Sequence, residues 1–157
     1  MTTQTISRGP FGLPTLEAIL GGYNDLGNTL ARVVAGLFLV PHGAQKLFGW
    51  FGGYGLEATG QFFASQLGFS NGYLAALGAG SVEFFAGLAL ALGLFTRSAA
   101  IAITVMLLVA SQFHFGAGYF WTNGGWEYPI LWAALAFSFA LKGGGRYSLD
   151  QKFGIRY

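Results

Sequence analysis

The chain has 157 residues, of which 54% are hydrophobic and only 9% carry charge. Soluble domains carry roughly 25% charged residues, so this composition excludes an ordinary water-covered surface. The 16 Phe, 7 Tyr and 4 Trp residues exclude a soluble disordered chain, because such chains are poor in aromatic residues. The length fits one domain, and the composition indicates an integral membrane protein.

Several chemistries are excluded by residue counts. The chain has no cysteine, which excludes disulfides, thiolate nucleophiles and cysteine-ligated zinc or iron–sulfur clusters. Two histidines supply at most part of a metal site, so we predict no metal centre. The net charge of +2 comes without a single basic stripe, so nucleic acid is not an expected partner. A redox role would therefore need a bound quinone, another cofactor or a partner subunit.

Four apolar stretches follow a mixed amino-terminal segment. Residues 1–26 are interrupted by glycine and proline, and we predict a cytoplasmic segment with a short interfacial helix from Pro14 to Gly21. Transmembrane helices are predicted at about 27–48, 73–95, 98–119 and 127–142, because each stretch is long and apolar. The glycine run 143–145 ends the fourth. The predicted fold is an all-α membrane protein, with a four-helix transmembrane domain over 27–145 and a cytoplasmic tail over 146–157.

Basic residues predict how this bundle is oriented. Alternate ends of the four stretches carry 7 Lys and Arg residues on one side and only Lys46 on the other. The positive-inside rule places the side with more basic residues in the cytoplasm, so both termini are predicted to be cytoplasmic. This topology accounts for Arg32 and Arg97 at the cytoplasmic boundary. The residues on that side are Arg8, Arg32, Arg97, Lys142, Arg146, Lys152 and Arg156.

The first outer connection and its aromatic residues have two interpretations. Residues 56–67 carry apolar side chains at helical spacing, and we predict a helix lying in the membrane interface. Aromatic residues collect on this side, either as an interfacial belt or as the lining of a ligand pocket. They are Phe48, Trp50, Phe51, Tyr54, Tyr119, Phe120, Trp121, Trp126 and Tyr128.

Glu83 is the polar residue least expected in an apolar helix. It follows Tyr73 by ten residues, roughly 15 Å along a helix and close to the middle of a ~30 Å hydrocarbon layer. A carboxylate there needs a partner, a proton or a wet cavity. The small residues at 79, 80, 86 and 87 let another helix approach closely, so Glu83 is predicted to face the bundle interior. It would serve either as a packing contact or as part of a functional site.

Further polar residues fall in the outer half of the predicted bundle. His42 and Lys46 are four residues apart and share a helix face, next to a weak point expected at Pro41. His114 and Glu127 come to the same side by topology. We predict a polar pocket in which Glu83 or Glu127 pairs with Lys46. An aromatic cover would come from Trp126 or Tyr119. The alternatives are that Lys46 reaches the membrane interface, that His42 is a packing histidine and that Glu127 stabilises the start of the fourth helix.

Four motifs follow one another along the chain. They are Arg32…Gly36…Gly43…Lys46, the run EFFAGLALALGLFTR over 83–97, GGWEY over 124–128 and GGGRYSLD over 143–150. Their order and spacing resemble the DoxX family of bacterial four-helix membrane proteins. The resemblance covers about 32–150 and implies a bacterial inner-membrane location and a redox role, since relatives include a subunit of a thiosulfate:quinone oxidoreductase. It implies functional polar positions at Arg32, Lys46, Glu83, Arg97 and Glu127.

Two functions stay open from the sequence. One is a quinone-linked subunit of a membrane oxidoreductase, with Glu83, His42 and Lys46 as the catalytic groups. Its cofactor-binding residues would be His114, Glu127, Trp126 and Tyr119. The other is a non-catalytic accessory subunit that packs into a larger membrane complex, with membrane or peripheral proteins as partners. In that case the same polar residues hold helices together.

Overall fold

The computed structural model describes Thr15 and residues 20–155, and within these ranges it is helical without any strand. A π turn at Val82–Ala86 joins the helix Gly72–Ser81 (α3) to the helix Gly87–Leu92 (α4), so that 72–92 forms one continuous helix, called the α3–α4 helix below. Short 3-10 turns occupy several connections. The helices are α1 (Asn24–Phe48), α2 (Gly55–Leu67), α3 (Gly72–Ser81), α4 (Gly87–Leu92), α5 (Thr96–Gln112), α6 (Glu127–Lys142) and α7 (Leu149–Phe153).

The predicted helices are found, with corrected ends. The α3–α4 helix ends at Leu92 rather than 95, because Gly93 adopts a left-handed conformation with φ +69°. The third helix ends at Gln112 rather than 119 and is followed by a separate 3-10 turn. The fourth has the predicted bounds. The predicted amino-terminal helix over 14–21 lies mostly outside the described residues. Arg8 and Arg156, two of the basic residues used to predict the orientation, lie outside them entirely.

The four long helical segments pack as two pairs. The α1 helix lies along the α3–α4 helix, and α5 lies along α6. Contacts of α5 with the π turn and with α4 join the pairs. The shared core is built largely from alanine, which lets helices pack closely. Its buried residues are Ala35, Leu39, Leu90, Ala99, Ala100, Ile103, Leu107, Ala133, Ala136, Phe139 and Ala140.

Glycines set the distance between α1 and the α3–α4 helix. A Cβ atom added at Gly36 would lie 2.6 Å from the backbone nitrogen of Ala91, and one at Gly87 would lie 2.9 Å from the carbonyl oxygen of Gly36. Both distances are too short for a real side chain. The prediction that small residues flanking Glu83 admit a second helix is confirmed, and that helix is α1.

The outer surface of the bundle is apolar. Large hydrophobic side chains are exposed on each long helix, including Leu30 of α1, Leu74 of α3, Ile101 of α5 and Leu131 of α6. Within the described residues, Gly72–Leu92 is the one helix whose length and apolar composition are sufficient to cross a membrane, while α5 is apolar but has only 17 residues. The predicted all-helical fold is confirmed, and the membrane-crossing criterion is met by one of its helices.

Buried Arg32 closes one end of the bundle, which we call the tail end. Its side chain is 1% exposed and donates through Nη1 to the carbonyl oxygens of Leu90 and Ala91, each at 2.6 Å. Its Nη2 donates to the carbonyl oxygen of Tyr147 at 3.1 Å. Because the last carbonyls of a helix lack intrahelical donors, Arg32 caps α4 and attaches the tail to it.

Asp150 and Arg97 complete the tail end. The Asp150 carboxylate accepts the backbone N–H of Phe95 at 2.7 Å, and the N–H and hydroxyl of Thr96 at 2.9 and 2.6 Å. It therefore caps the start of α5 although it lies more than fifty residues further along the chain. Arg97 donates through Nη1 to the carbonyl oxygens of Ala140 and Leu141, which end α6. From the sequence, membrane topology alone was expected to account for Arg32 and Arg97. In the structure both also bond to the ends of helices.

Candidate functional site

A cavity of about 290 Å³ opens in the half of the bundle away from the tail end. It lies between α1, the π turn, α5 and α6, and three of the predicted site residues line it: His42, Glu83 and His114. Most of the remaining lining is aromatic or aliphatic. These residues are Phe38, Leu39, Leu107, Ala110, Trp121, Gly124, Gly125, Tyr128, Pro129 and Trp132.

Glu83 forms an ion pair with Lys46 in the wall of this cavity. The Nζ atom of Lys46 donates to both carboxylate oxygens, at 2.9 and 2.8 Å. Glu83 is buried and Lys46 is 24% exposed. Lys46 itself is not among the described residues that line the cavity, so it binds the carboxylate from outside the lining. The prediction that Lys46 pairs with Glu83 or Glu127 is confirmed for Glu83.

The backbone around Glu83 is a π turn, from Val82 to Ala86. Such turns are rare and occur often at functional sites, because they insert one residue into a helix and redirect its side chains. The sequence had instead predicted a weak point at Pro41. Helix α1 continues through Pro41, and the irregular turn lies in the facing helix. Hydropathy patterns give no signal for a π turn, and only the buried acid pointed to this location.

The two histidines differ in how their rings are held. The Nδ1 atom of His114 lies 2.6 Å from the carbonyl oxygen of Gly124. Because a carbonyl oxygen only accepts, Nδ1 carries the proton of this bond, which leaves Nε2 as an acceptor in the neutral ring. His42 is exposed and has no hydrogen-bond partner among the described residues. It is therefore free to donate to, or accept from, a molecule in the cavity.

Besides Lys46, three further predicted site residues lie outside the lining of the cavity. The rings of Tyr119 and Trp126 pack edge to face at 5.0 Å, and neither lines the cavity. The expected aromatic cover is corrected to Trp121, Tyr128 and Trp132, which the short turn after residue 120 and the start of α6 bring inward. Glu127 begins α6 and has no ion-pair partner among the described residues, with its Oε2 atom buried and unbonded.

Comparison with known proteins assigns the chain to a family. The family model for DoxX matches residues 27–117, from α1 to the turn after α5. The chain belongs to the DoxX family. The matched segment of this DoxX protein contains His42, Lys46, Glu83 and His114, whereas Glu127 lies beyond it. Membership also supports the membrane character that composition and exposed apolar surface indicate.

A curated relative of this DoxX protein is an uncharacterised protein of Haemophilus influenzae. It is 33% identical over 129 residues, which cover 78% of this chain and 87% of that protein. No solved structure matches the chain. The family resemblance stated from the sequence is thus confirmed, and the chemistry of the cavity has to be argued from its residues.

Proposed function

We propose that this DoxX protein is a multi-pass protein of the bacterial inner membrane, with four helices crossing the bilayer and both termini in the cytoplasm. The apolar exterior on all four long segments supports this arrangement, because such a surface is stable in lipid. The basic residues Arg32, Arg97 and Lys142 lie at one end and support a cytoplasmic tail end. In this orientation the cavity opens toward the outer face.

Reporter fusions test this topology. A reporter after Ile155 and one inserted at Tyr54, in the exposed connection before α2, are expected to report opposite sides of the membrane. Fusions within the connection 93–95 should agree with the tail, because Asp150 bonds directly to Phe95. Reports of the same side for Ile155 and Tyr54 would overturn the proposed orientation.

Within this topology we propose that the cavity binds a quinone, and that the protein is a quinone-linked subunit of a membrane oxidoreductase system. The observation that carries the proposal is an ion-paired carboxylate at the wall of an aromatic-lined cavity. A quinone ring needs flat apolar walls, and Trp121, Tyr128 and Trp132 supply them. Its carbonyl oxygens need donors, and the His42 ring faces the same space.

Proton exchange is the chemistry that these residues offer. Reduction of a quinone to a quinol takes up two electrons and two protons. His42 and Glu83 are both groups that transfer protons, and Lys46 holds the carboxylate in place at 2.8 Å. Because the chain has no cysteine, the electrons would come from a partner or a reduced substrate, which is consistent with a subunit role.

Tryptophan fluorescence provides a direct binding test. A short-chain quinone titrated into the purified protein should quench emission saturably, because Trp121 and Trp132 line the cavity. Trp132→Phe is expected to remove a large part of the saturable quenching. The matched control, Trp50→Phe, removes an exposed ring outside the cavity lining and should preserve that quenching.

Glu83→Gln separates proton transfer from packing. Glutamine keeps the shape and one acceptor for Lys46, but it has no titratable proton. Retained quinone binding with lost quinol turnover in the assembled system would support the proposed role. Retained turnover would show that Glu83 is a packing contact. Absence of saturable quenching in the unmodified protein would exclude the quinone site and favour the accessory-subunit alternative.

A further inference from the structure

A second cavity, of about 400 Å³, lies at the tail end and is separate from the quinone site proposed above. Its lining is polar and includes two basic side chains, Arg97 at the start of α5 and Lys142 at the end of α6. The glycine run 143–145 forms one wall, and Ser148, Asp150, Gln151 and Ile155 complete the lining. None of these residues takes part in the proposed quinone chemistry.

Among the described residues, this lining contains one carboxylate, Asp150, and its oxygens are already engaged. Both oxygens of Asp150 accept hydrogen bonds from Phe95 and Thr96, three bonds in all. The described residues place no carboxylate within ion-pair distance of Arg97 or Lys142. Counted over the described part of the chain, the cavity therefore has two cations without an ion-pair partner against one carboxylate committed to helix capping, and these groups together carry a positive charge.

Arg97 presents a free edge of its guanidinium group. Its bonds to the end of α6 use Nη1 alone among the described residues. The Nε and Nη2 atoms lie on the side of Gly143, where a Cβ atom would be 3.6 Å from each. Gly143 has φ +81° and carries no side chain, so this edge stays uncovered. Two parallel N–H groups on one edge match two oxygens of a phosphate group.

Two exposed apolar residues neighbour lining residues of this cavity along the chain. Leu141, 65% exposed, precedes Lys142, and Phe153, 64% exposed, ends α7, which also contains Asp150 and Gln151. In the orientation proposed above, a phosphate at Arg97 would lie at the cytoplasmic headgroup level. Acyl chains could then lie against these apolar side chains, since basic pockets between helix ends on this side suit anionic lipids.

We propose that this cavity binds a phosphate group, held by the free edge of Arg97 and by the ammonium of Lys142, as carried by an anionic phospholipid such as phosphatidylglycerol. A free phosphate ion offers the same oxygens, and the test below distinguishes the two sources. Lys142 is exposed and makes no hydrogen bond within the described part of the chain, so its charge is available for this purpose.

The test measures the thermal unfolding midpoint of the purified full chain in micelles of a neutral, phosphate-free maltoside detergent. Phosphatidylglycerol added at increasing fractions is expected to raise the midpoint saturably, and less at high salt. Lys142→Gln should need about fivefold more phosphatidylglycerol for half of the rise. Arg97→Lys keeps the charge but loses the two-donor edge, and it should also weaken the effect. The matched control, Lys152→Gln, removes an exposed lysine of α7 outside the cavity and should respond like the unmodified chain.

Inorganic phosphate at matched concentrations forms the second arm. Stabilisation by phosphatidylglycerol alone would identify the lipid headgroup as the source. Equal stabilisation by both, weakened in Lys142→Gln, would identify a site for phosphate itself. The proposal is overturned by the absence of stabilisation in both arms. It is equally overturned if Lys142→Gln and Lys152→Gln reduce the effect alike, because that result would indicate general attraction to the tail.

Discussion

The tail end and the cavity end of this bundle use charged side chains in different ways. At the tail end, Arg32, Arg97 and Asp150 each bond to backbone groups of a helix other than their own. At the cavity end, Lys46 and Glu83 bond to each other, and His42 faces open space. A charge whose partners are fixed backbone groups stabilises the fold. A charge at the wall of a cavity remains accessible to a ligand.

Removal of Arg32 is expected to have the largest effect on stability. In Arg32→Met, three backbone carbonyl groups lose their bond from Arg32, two of these bonds being buried and the one to Tyr147 partly buried. The carbonyl oxygen of Leu90 keeps its bond from the N–H of Gly93, and a buried acceptor left without a donor costs about 1–3 kcal/mol. We expect the free energy of unfolding to fall by about 3 kcal/mol or more, measured by denaturant titration in detergent. Arg146→Met is the control, because Arg146 is exposed and only lies over the Tyr147 ring. Equal losses of unfolding free energy in both variants would contradict the conclusion that the bonds of Arg32 stabilise the fold.

Breaking the Lys46–Glu83 pair should have the next largest effect. Glu83→Ala leaves a partly buried ammonium without its partner, and we expect a loss of about 2–3 kcal/mol in the free energy of unfolding. Joint replacement, Lys46→Met with Glu83→Leu, should recover much of this loss because no charge is left unpaired. Quinone-dependent quenching should be weakened in Glu83→Ala and should not recover in the double variant. Recovery of both stability and quenching would show that the pair is not part of the ligand site.

Loss of the Asp150 cap should have a smaller effect. Asn keeps one acceptor oxygen but cannot serve Phe95 and Thr96 equally, so Asp150→Asn should cost about 1 kcal/mol. The measurement is the same denaturant titration. Asp25→Asn, at an exposed position in the first turn of α1, is the control and should be nearly neutral. A neutral Asp150→Asn would mean that the tail contributes little to the start of α5.

His42→Leu is expected to change stability least. The imidazole is exposed to the cavity and bonds to no described residue, so the free energy of unfolding should change by less than about 0.5 kcal/mol. Binding of the quinone, followed by tryptophan quenching, should weaken clearly. A stability loss as large as that of Asp150→Asn, with unchanged binding, would assign His42 to the fold and reduce the contrast between the two ends.

The helices, and the close approach of a second helix beside Glu83, could be predicted from the sequence because apolar runs and small residues have local signatures. The fourth helix was predicted with its observed bounds. The cost of an unpaired charge in an apolar segment predicted that Lys46 pairs with Glu83 or Glu127, and the structure shows the pair with Glu83. Both inferences need only residues within one or two helices.

Contacts between distant segments could not be predicted in the same way. Nothing near Thr96 indicates that its cap comes from Asp150, and nothing near Arg32 indicates that Tyr147 accepts its bond. The aromatic lining was also misassigned. The connection 113–126 contains turns that decide whether Trp121 or Trp126 enters the cavity, and their composition does not specify that choice.

The Asp150 cap has a consequence for the order in which this protein matures. Phe95 has a left-handed backbone conformation, φ +47°, which residues other than glycine rarely adopt. The Asp150 carboxylate accepts a hydrogen bond from its N–H group. Synthesis delivers residue 150 only after all four long helices have left the ribosome. Until then the junction between α4 and α5 lacks both this acceptor and the carbonyl oxygen of Tyr147, which accepts a hydrogen bond from Arg32. Closure of the tail end is therefore a late step of biogenesis, and a nascent chain halted before residue 147 would keep that junction accessible to proteases.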